Sequence, residues 1–203
     1  PLLDIKKPGK PRIFFNNVST DDIDQIVEDY LLNDLLPESN VMGYMGEGEV
    51  PDSTDPMENI PGIALQHRIA LRNAGHTAPS NVFQYIATGG YSGLYKAVTT
   101  MEPSDVIDEV KNSGLRGRGG AAFPTGVKWS FLVGSPGPTK YILCNCEEGD
   151  PGAYNDKGIL ESDPHTLLEG LAIAGYATGA SNGIVFIRHG HDGPIDRTEE
   201  AIA

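Results

Sequence analysis

Hydrophobic positions change period several times along the 203 residues. Arg12-Ile13-Phe14-Phe15 is a short run of strand formers and predicts a strand. Ser19 or Thr20 then stands as a helix N-cap, and Ile23, Ile26, Val27, Tyr30 and Leu31 recur at helical spacing, which predicts an amphipathic helix of about three turns. Periodicity is lost over residues 37–62, where Pro37, Gly43, Gly46, Gly48, Pro51, Pro56 and Pro61 read as a flexible linker and a domain boundary. Beyond it the spacing predicts short helices around Leu65–Asn73, Val82–Ala87 and Gly93–Val98. Ser104 is expected to cap a helix over Asp105–Asn112, with Val106, Ile107 and Val110 as its buried stripe and Gly114 as its stop. Tyr141–Asn145 reads as a buried strand, Leu167–Thr178 as an apolar helix, Ile184–Arg188 as a second strand, and Pro194 as the start of a last helix. Strand, helix, strand, helix at this spacing predicts a βαβ unit with a parallel sheet, hence an α/β fold. Trp129 is assigned to the core.

Composition narrows the partners. Hydrophobic content of 39% and charged content of 21% belong to a folded chain. No apolar run is long enough to span a bilayer and no signal peptide opens the sequence, so direct membrane insertion is not expected. A net charge of −13 argues against nucleic acid and anionic membrane as partners. Both ends are expected to be cut, since Pro1 stands where an initiating Met would and the Glu199–Ala203 run breaks off within a helical pattern. Cys144 and Cys146 are the two cysteines. Two apart on the predicted strand, they are expected on opposite faces, with no disulfide between them, in keeping with a reducing cytoplasm. Two thiolates also fall short of the four ligands of an iron–sulfur cluster.

Charge distribution then points to a site. Lys111, Arg116, Arg118, Lys128 and Lys140 form an acid-free basic stretch within an acidic protein. It encloses Gly114, Gly117, Gly119 and Gly120, whose amides can approach an anion without side-chain obstruction, while a following helix N-terminus adds partial positive charge. Arg118 and Lys128 would complete the neutralisation of a phosphate. Gly117-x-Gly119-x-x-Ala122 formally matches the dinucleotide fingerprint, but it follows a helix rather than a strand, so Rossmann geometry is not implied by it. Set against a plain glycine-rich surface turn, the acid-free basic surroundings favour phosphate. The Gly43–Gly48 run lies among Glu47, Glu49 and Asp52 and is read as a loop. His189, His191 and Asp192 could ligate a metal, but a polar loop after a strand is the preferred reading. Taken alone, Glu147, Glu148 and Asp150 are solvated acids at a strand end, and His165 is a helix-start residue. No serine has a nucleophile-elbow setting, which argues against a hydrolase.

The run Gly114-Leu-Arg-Gly-Arg-Gly-Gly-Ala-Ala-Phe-Pro-Thr-Gly-Val-Lys-Trp129 resembles the flavin- and NADH-binding loop of the flavoprotein subunits of complex I and of related soluble hydrogenases and formate dehydrogenases. Cys144-Asn-Cys-Glu-Glu-Gly-Asp-Pro-Gly-Ala-Tyr-Asn-Asp156 resembles the family's second FMN motif, and Asp163-Pro164-His165, Glu169-Gly170 and Gly175-Tyr176 continue the similarity, which covers about residues 66–203. Arg68–Asn73, Tyr85–Tyr91 and Gly149-Asp150-Pro151 lean toward the soluble hydrogenase branch. The resemblance implies a Rossmann-like FMN/NADH-binding domain, present in its N-terminal part over 63–203, after the 37–62 linker and a remnant of a thioredoxin-like ferredoxin domain over 1–36. It implies that amides of Gly117, Gly119 and Gly120 cradle phosphate with Arg118 and Lys128 as counter-charges. Asn145 and Glu147 would bond the ribityl chain, Phe123 and Phe131 would flank nicotinamide or adenine, and Glu148 and Asp150 would line the NADH side. None is a general acid or base, because hydride passes directly from nicotinamide to flavin. The implied activity is that of an FMN-dependent NADH dehydrogenase subunit, cytoplasmic and joined to iron–sulfur subunits. NADH is not distinguished from NADPH. The family's four-iron cluster motif and the second half of its flavin site are absent, so this segment alone is expected to be inactive. Ala122 stands where the family has Gly, Cys146 where it has Ala, and Glu147 where it has Asp. These departures leave open a non-catalytic scaffold subunit that keeps the fold without flavin.

Overall fold

Strand pairing organises the first of two units, Pro1–Arg68, in the computed structural model, which describes residues 1–37, 39–50 and 54–203. β1 (Leu3–Lys6) pairs antiparallel with β2 (Arg12–Phe15), and β2 pairs antiparallel with β3 (Val41–Met45). α1 (Thr20–Ile26) starts behind Ser19, whose hydroxyl and amide both donate to the Asp22 carboxylate at 2.6 and 2.7 Å. It runs on into a wider π-wound stretch, Val27–Leu32. Ile26 and Tyr30 enter the core with Ile13, Phe15 and Val18, while Ile23, Val27 and Leu31 stay on the exposed flank of the predicted stripe. β3 lies within the stretch predicted as a linker. The open edge of β2 supplies its ladder, and Val41 and Tyr44 pack on the core, so pairing overrides the local glycines and prolines. Pro51 and Asp52 of that stretch lie outside the described residues. A 3₁₀ turn (Met57–Asn59) and the short α2 (Pro61–Ala64) follow. Leu65–Asn73, predicted as a helix, is a succession of bends and turns. Leu65 and Ile69 are strongly exposed, and a short helix with no buried apolar face is not stable by itself.

The second unit, Ile69–Ala203, begins with four helices: α3 (Val82–Ala87), α4 (Ser92–Thr100), α5 (Pro103–Asn112) and α6 (Thr125–Gly134). The cap of α5 is Glu102 rather than Ser104. The Asp105 side chain accepts from the Glu102 amide at 3.2 Å, and Pro103 takes the first helical position, where its missing N–H costs nothing. Val106 and Ile107 then bury against Ala97 and Ala177, with Trp129 packed on this cluster.

β4 (Tyr141–Cys146), α7 (Asn155–Ser162), α8 (Pro164–Thr178), β5 (Asn182–Ile187) and α9 (Asp192–Ile202) complete the unit. β4 and β5 are parallel, in register from Tyr141 opposite Asn182 to Cys146 opposite Ile187, as the βαβ reading predicts. α8 packs on both strands and covers one face of the pair. The other face shows Tyr141, Leu143, Ile184 and Phe186 substantially exposed, so β4 is half-buried where the sequence predicted full burial. The cysteines also depart from expectation. Residues two apart on a strand share a face because side chains alternate with period two. Cys144 and Cys146 accordingly lie together, with Sγ atoms 3.6 Å apart. Among the described residues no helix is long and apolar enough to cross a membrane.

Candidate functional site

The glycine-rich segment is a hairpin between α5 and α6. Gly114 leaves α5 in a left-handed conformation, and Arg116 bridges Pro124 antiparallel. The Gly117 amide donates to the Phe123 carbonyl at 2.9 Å, and the Thr125 amide to the Leu115 carbonyl at 2.9 Å. Gly117 therefore closes the hairpin with the amide that the sequence reading assigned to phosphate. At the tip, the amides of Arg118, Gly119 and Gly120 meet no backbone acceptor among the described residues, and the whole tip is exposed. Gly120 (φ +83°) and Ala122 (φ +48°) both adopt left-handed backbone, which an alanine occupies at a cost of about 1–2 kcal/mol. The hairpin leads directly into the N-terminus of α6. Gly126 on its first turn approaches α5 so closely that a Cβ there would lie 2.6 Å from the Lys111 amide nitrogen.

The five basic residues of this stretch separate into two groups. Arg116 donates to the Ala122 carbonyl at 2.9 Å, Lys140 donates to the Val133 carbonyl at 2.9 Å, and Lys111 pairs with Asp108 at 3.5 Å. Arg118 and Lys128 stand exposed with no ion-pair partner among the described residues. Phe123 and Phe131 come together, ring centroids 6.1 Å apart and tilted by 51°, with 45% and 61% of their surfaces exposed.

The remaining predicted residues gather at the C-terminal end of β4. Asn145 projects from the exposed face of the sheet, and its side-chain oxygen accepts from the Glu147 amide at 3.2 Å. Glu147 is paired across the strands with Arg188 at 2.8 Å. Glu148 is turned inward. Only 8% exposed, its carboxylate accepts from the amides of Asn155, Asp156 and Lys157 at 2.7, 3.1 and 3.0 Å and so caps α7. Burial pushes the Glu148 carboxyl up, but those three amides outweigh it and hold the group below the usual carboxylate range. Asp150 is exposed in the turn before α7. α8, which packs against α6 as well as β4 and β5, is the element shared by the two groups. An apolar cleft of about 370 Å³ between α8 and the sheet, lined by Ile142, Leu168, Ala172 and Val185 among others, includes no residue of either group.

Sequence reasoning did not foresee a buried polar cluster on α8. Glu169 accepts from the Tyr85 hydroxyl at 2.5 Å and from the amides of Tyr91 and Leu94 at 3.0 Å each. His165, 2% exposed, lies with Nδ1 3.0 Å from the Tyr91 hydroxyl and its ring stacked on Tyr85. Asp163 accepts from Asn73 at 2.7 Å and from Thr166 at 2.6 Å. Burial, with the neighbouring Glu169 carboxylate, pushes the Tyr85 hydroxyl well up. A signal was available: His165 and Glu169 stand four apart, on one side of an otherwise apolar helix, where ionisable groups need partners.

Residues 110–203 match the family model described as the Nuo51 FMN-binding domain. This segment belongs to that family. All eleven positions proposed from sequence fall inside the Nuo51-type segment. The NADP-reducing hydrogenase subunit HndC of Solidesulfovibrio fructosivorans is 51% identical over 137 residues, which is 68% of this chain and 28% of that protein. An NADH-quinone oxidoreductase subunit of Rhizobium meliloti (strain 1021) is 47% identical over 135 residues, 66% of this chain and 32% of that protein. The chain thus spans about a third or less of the length of these relatives. The crystal structure of an NAD+-reducing NiFe-hydrogenase in the H2-reduced state superposes with a TM-score of 0.52 over 94% of this chain and 29% of that one, at 23% identity, a likeness of fold.

Proposed function

We propose that this chain forms part of a flavoprotein subunit that oxidises NADH or NADPH through FMN and delivers electrons to iron–sulfur subunits of a multisubunit, cytoplasmic oxidoreductase. The observation that carries this reading is the hairpin tip together with the first turns of α6. Of five basic residues, the two without an ion-pair or carbonyl partner among the described residues are Arg118 on the tip and Lys128 on α6, and they accompany tip amides that have no backbone acceptor there. That arrangement fits a phosphate: donors without acceptors, exposed positive charge, and the N-terminus of α6 at hand.

The protein's contribution is position and electrostatics. Gly119 and Gly120 present amides to the phosphate, with Gly117 holding the loop closed. Arg118 and Lys128 neutralise its charge. Phe123 and Phe131 offer adjacent aromatic faces for a nicotinamide or adenine ring. Asn145 and Glu147 bond sugar hydroxyls from the end of β4, Arg188 fixing the Glu147 carboxylate. Glu148 serves the nicotinamide side by holding the turn that carries Asp150. FMN, when bound, supplies the two-electron to one-electron conversion that no side chain here provides. The antiparallel β1–β2 hairpin followed by α1 supports reading residues 1–36 as the remnant of a thioredoxin-like ferredoxin domain. The relatives' greater length supports placing the four-iron cluster in a further C-terminal part.

The test is the visible spectrum of the complete reading frame, purified anaerobically, before and after NADH. A flavin band that bleaches is expected, and Lys128→Ala should weaken FMN binding about tenfold, the loss of one charge-assisted contact. A colourless protein that takes up no added FMN would establish the scaffold role instead.

A further inference from the structure

Cys144 and Cys146 occupy the helix-covered face of β4, with Sγ atoms 3.6 Å apart, Cys146 5% exposed and Cys144 partly accessible. In hydrogen-bonding as a pair they differ from two independent buried thiols. The two thiols share a hydrogen bond, and that bond holds the Cys144 thiol below the ordinary range. The same bond, then burial and the carboxylates of Asp156 and Glu148, push Cys146 up. One sulfur is thus prepared as the nucleophile, and the other is already in contact with it.

We infer that Cys144 and Cys146 form a redox-active dithiol, a modification site that peroxides oxidise to an intrastrand disulfide. In the first step the Cys144 thiolate attacks a peroxide oxygen; the S–O bond forms, the O–O bond breaks, and one water leaves after protonation. In the second step the Cys146 sulfur attacks the sulfenic acid on Cys144; the S–S bond forms, the S–O bond breaks, and a second water leaves. Two thiols are oxidised and one hydrogen peroxide is reduced to two waters.

Backbone geometry makes the bond reversible. Alternate residues of a strand are about 6.6 Å apart at Cα. That is close to the upper limit of about 6.8 Å that a disulfide spans, so closure shortens the pleat and stores strain, and strained disulfides are the readily reduced ones. Asn145 lies between the two cysteines and points to the other face of the sheet, so the same closure displaces a proposed ribityl ligand. The thiol chemistry itself stands whether or not flavin binds.

Trypsin isolates both cysteines in a single peptide, Tyr141–Lys157. The intact native protein is reduced, exposed to hydrogen peroxide, alkylated, and digested. The expected peptide has lost two hydrogens, carries no alkyl group, and regains two alkylatable thiols after dithiothreitol. With Cys146→Ser the sulfenic acid on Cys144 should persist and be trapped by dimedone, whereas Cys144→Ser should leave Cys146 unoxidised over the same interval. Two alkylatable thiols after peroxide, or Cys144 passing to sulfinic acid in the unsubstituted protein without a disulfide, would overturn the inference. Because the readout is peptide mass, its failure is distinct from a failure to bind FMN, which the visible spectrum reports.

Discussion

The glycine hairpin and the polar cluster on α8 solve opposite problems with hydrogen bonds. The hairpin closes itself with a few local bonds and leaves the amides of Arg118, Gly119 and Gly120, and the charges of Arg118 and Lys128, facing water. The cluster leaves few donors unused: Glu169 collects Tyr85, Tyr91 and Leu94, and Asp163 collects Asn73 and Thr166, although these partners lie up to 90 residues apart. The contrast separates binding from holding. Donors kept without acceptors are available to a ligand, whereas donors gathered around a partly buried carboxylate fix α3, α4 and α8 to each other.

The largest expected effect comes from breaking the holding side. Glu169→Ala strands the Tyr85 hydroxyl and two backbone amides, and should lower the unfolding free energy by about 3 kcal/mol in urea titration. The effect should depend on pH with a definite sign. Burial raises the Glu169 carboxyl, but Tyr85 and the amides of Leu94 and Tyr91 outweigh it, so its folded value lies below the ordinary 4.5. A lowered carboxyl contributes stability above its unfolded value and loses it as pH falls through the folded one. The gap between the original protein and Glu169→Ala should therefore be full at neutral pH and shrink as pH falls below 4.5. A gap that widens in acid would contradict the cluster's assigned role.

A smaller effect tests the frame of the binding side. Gly126→Ala places a Cβ 2.6 Å from the Lys111 amide nitrogen, so α6 must move away from α5, at a cost of about 2 kcal/mol. Thermal unfolding measures that cost, and FMN titration should show the hairpin's affinity falling with it. The smallest effect has the opposite sign. Ala122→Gly relieves an alanine held at φ +48° and should stabilise by about 1 kcal/mol, with the melting temperature rising rather than falling. If the melting temperature falls instead, the left-handed conformation at Ala122 is wrong.

Local signals carried much of this molecule. The glycine spacing from Gly114 to Gly120, the acid-free basic stretch and the parallel βαβ pattern are properties of contiguous residues, and each was legible from the residues alone. Errors arose where a neighbour distant in sequence decided the outcome. β3 formed within a predicted linker because β2 offered an edge. Leu65–Asn73 did not form a helix, and Leu65 and Ile69 stay largely exposed. Glu148, expected to line the NADH side, also caps α7, a local contact with amides that begin seven residues later. The misplacement of Cys144 and Cys146 on opposite faces was different in kind, since the period of a strand already places alternate residues together.

By itself the sequence determined the chemistry on offer: a run of glycines bare of acid, two aromatic rings, a strand ending in Asn145 and Glu147, and two thiols two residues apart. Those choices are covalent and local, so they survive any folding. Tertiary structure decided which of them remain available. It engaged Arg116, Lys140 and Lys111, left Arg118 and Lys128 without ion-pair partners among the described residues, used the Gly117 amide to close the loop, and turned Glu148 inward. It also brought Glu169 to Tyr85 across 84 residues. Availability depends on which donors and acceptors meet through space, and chain order does not record that.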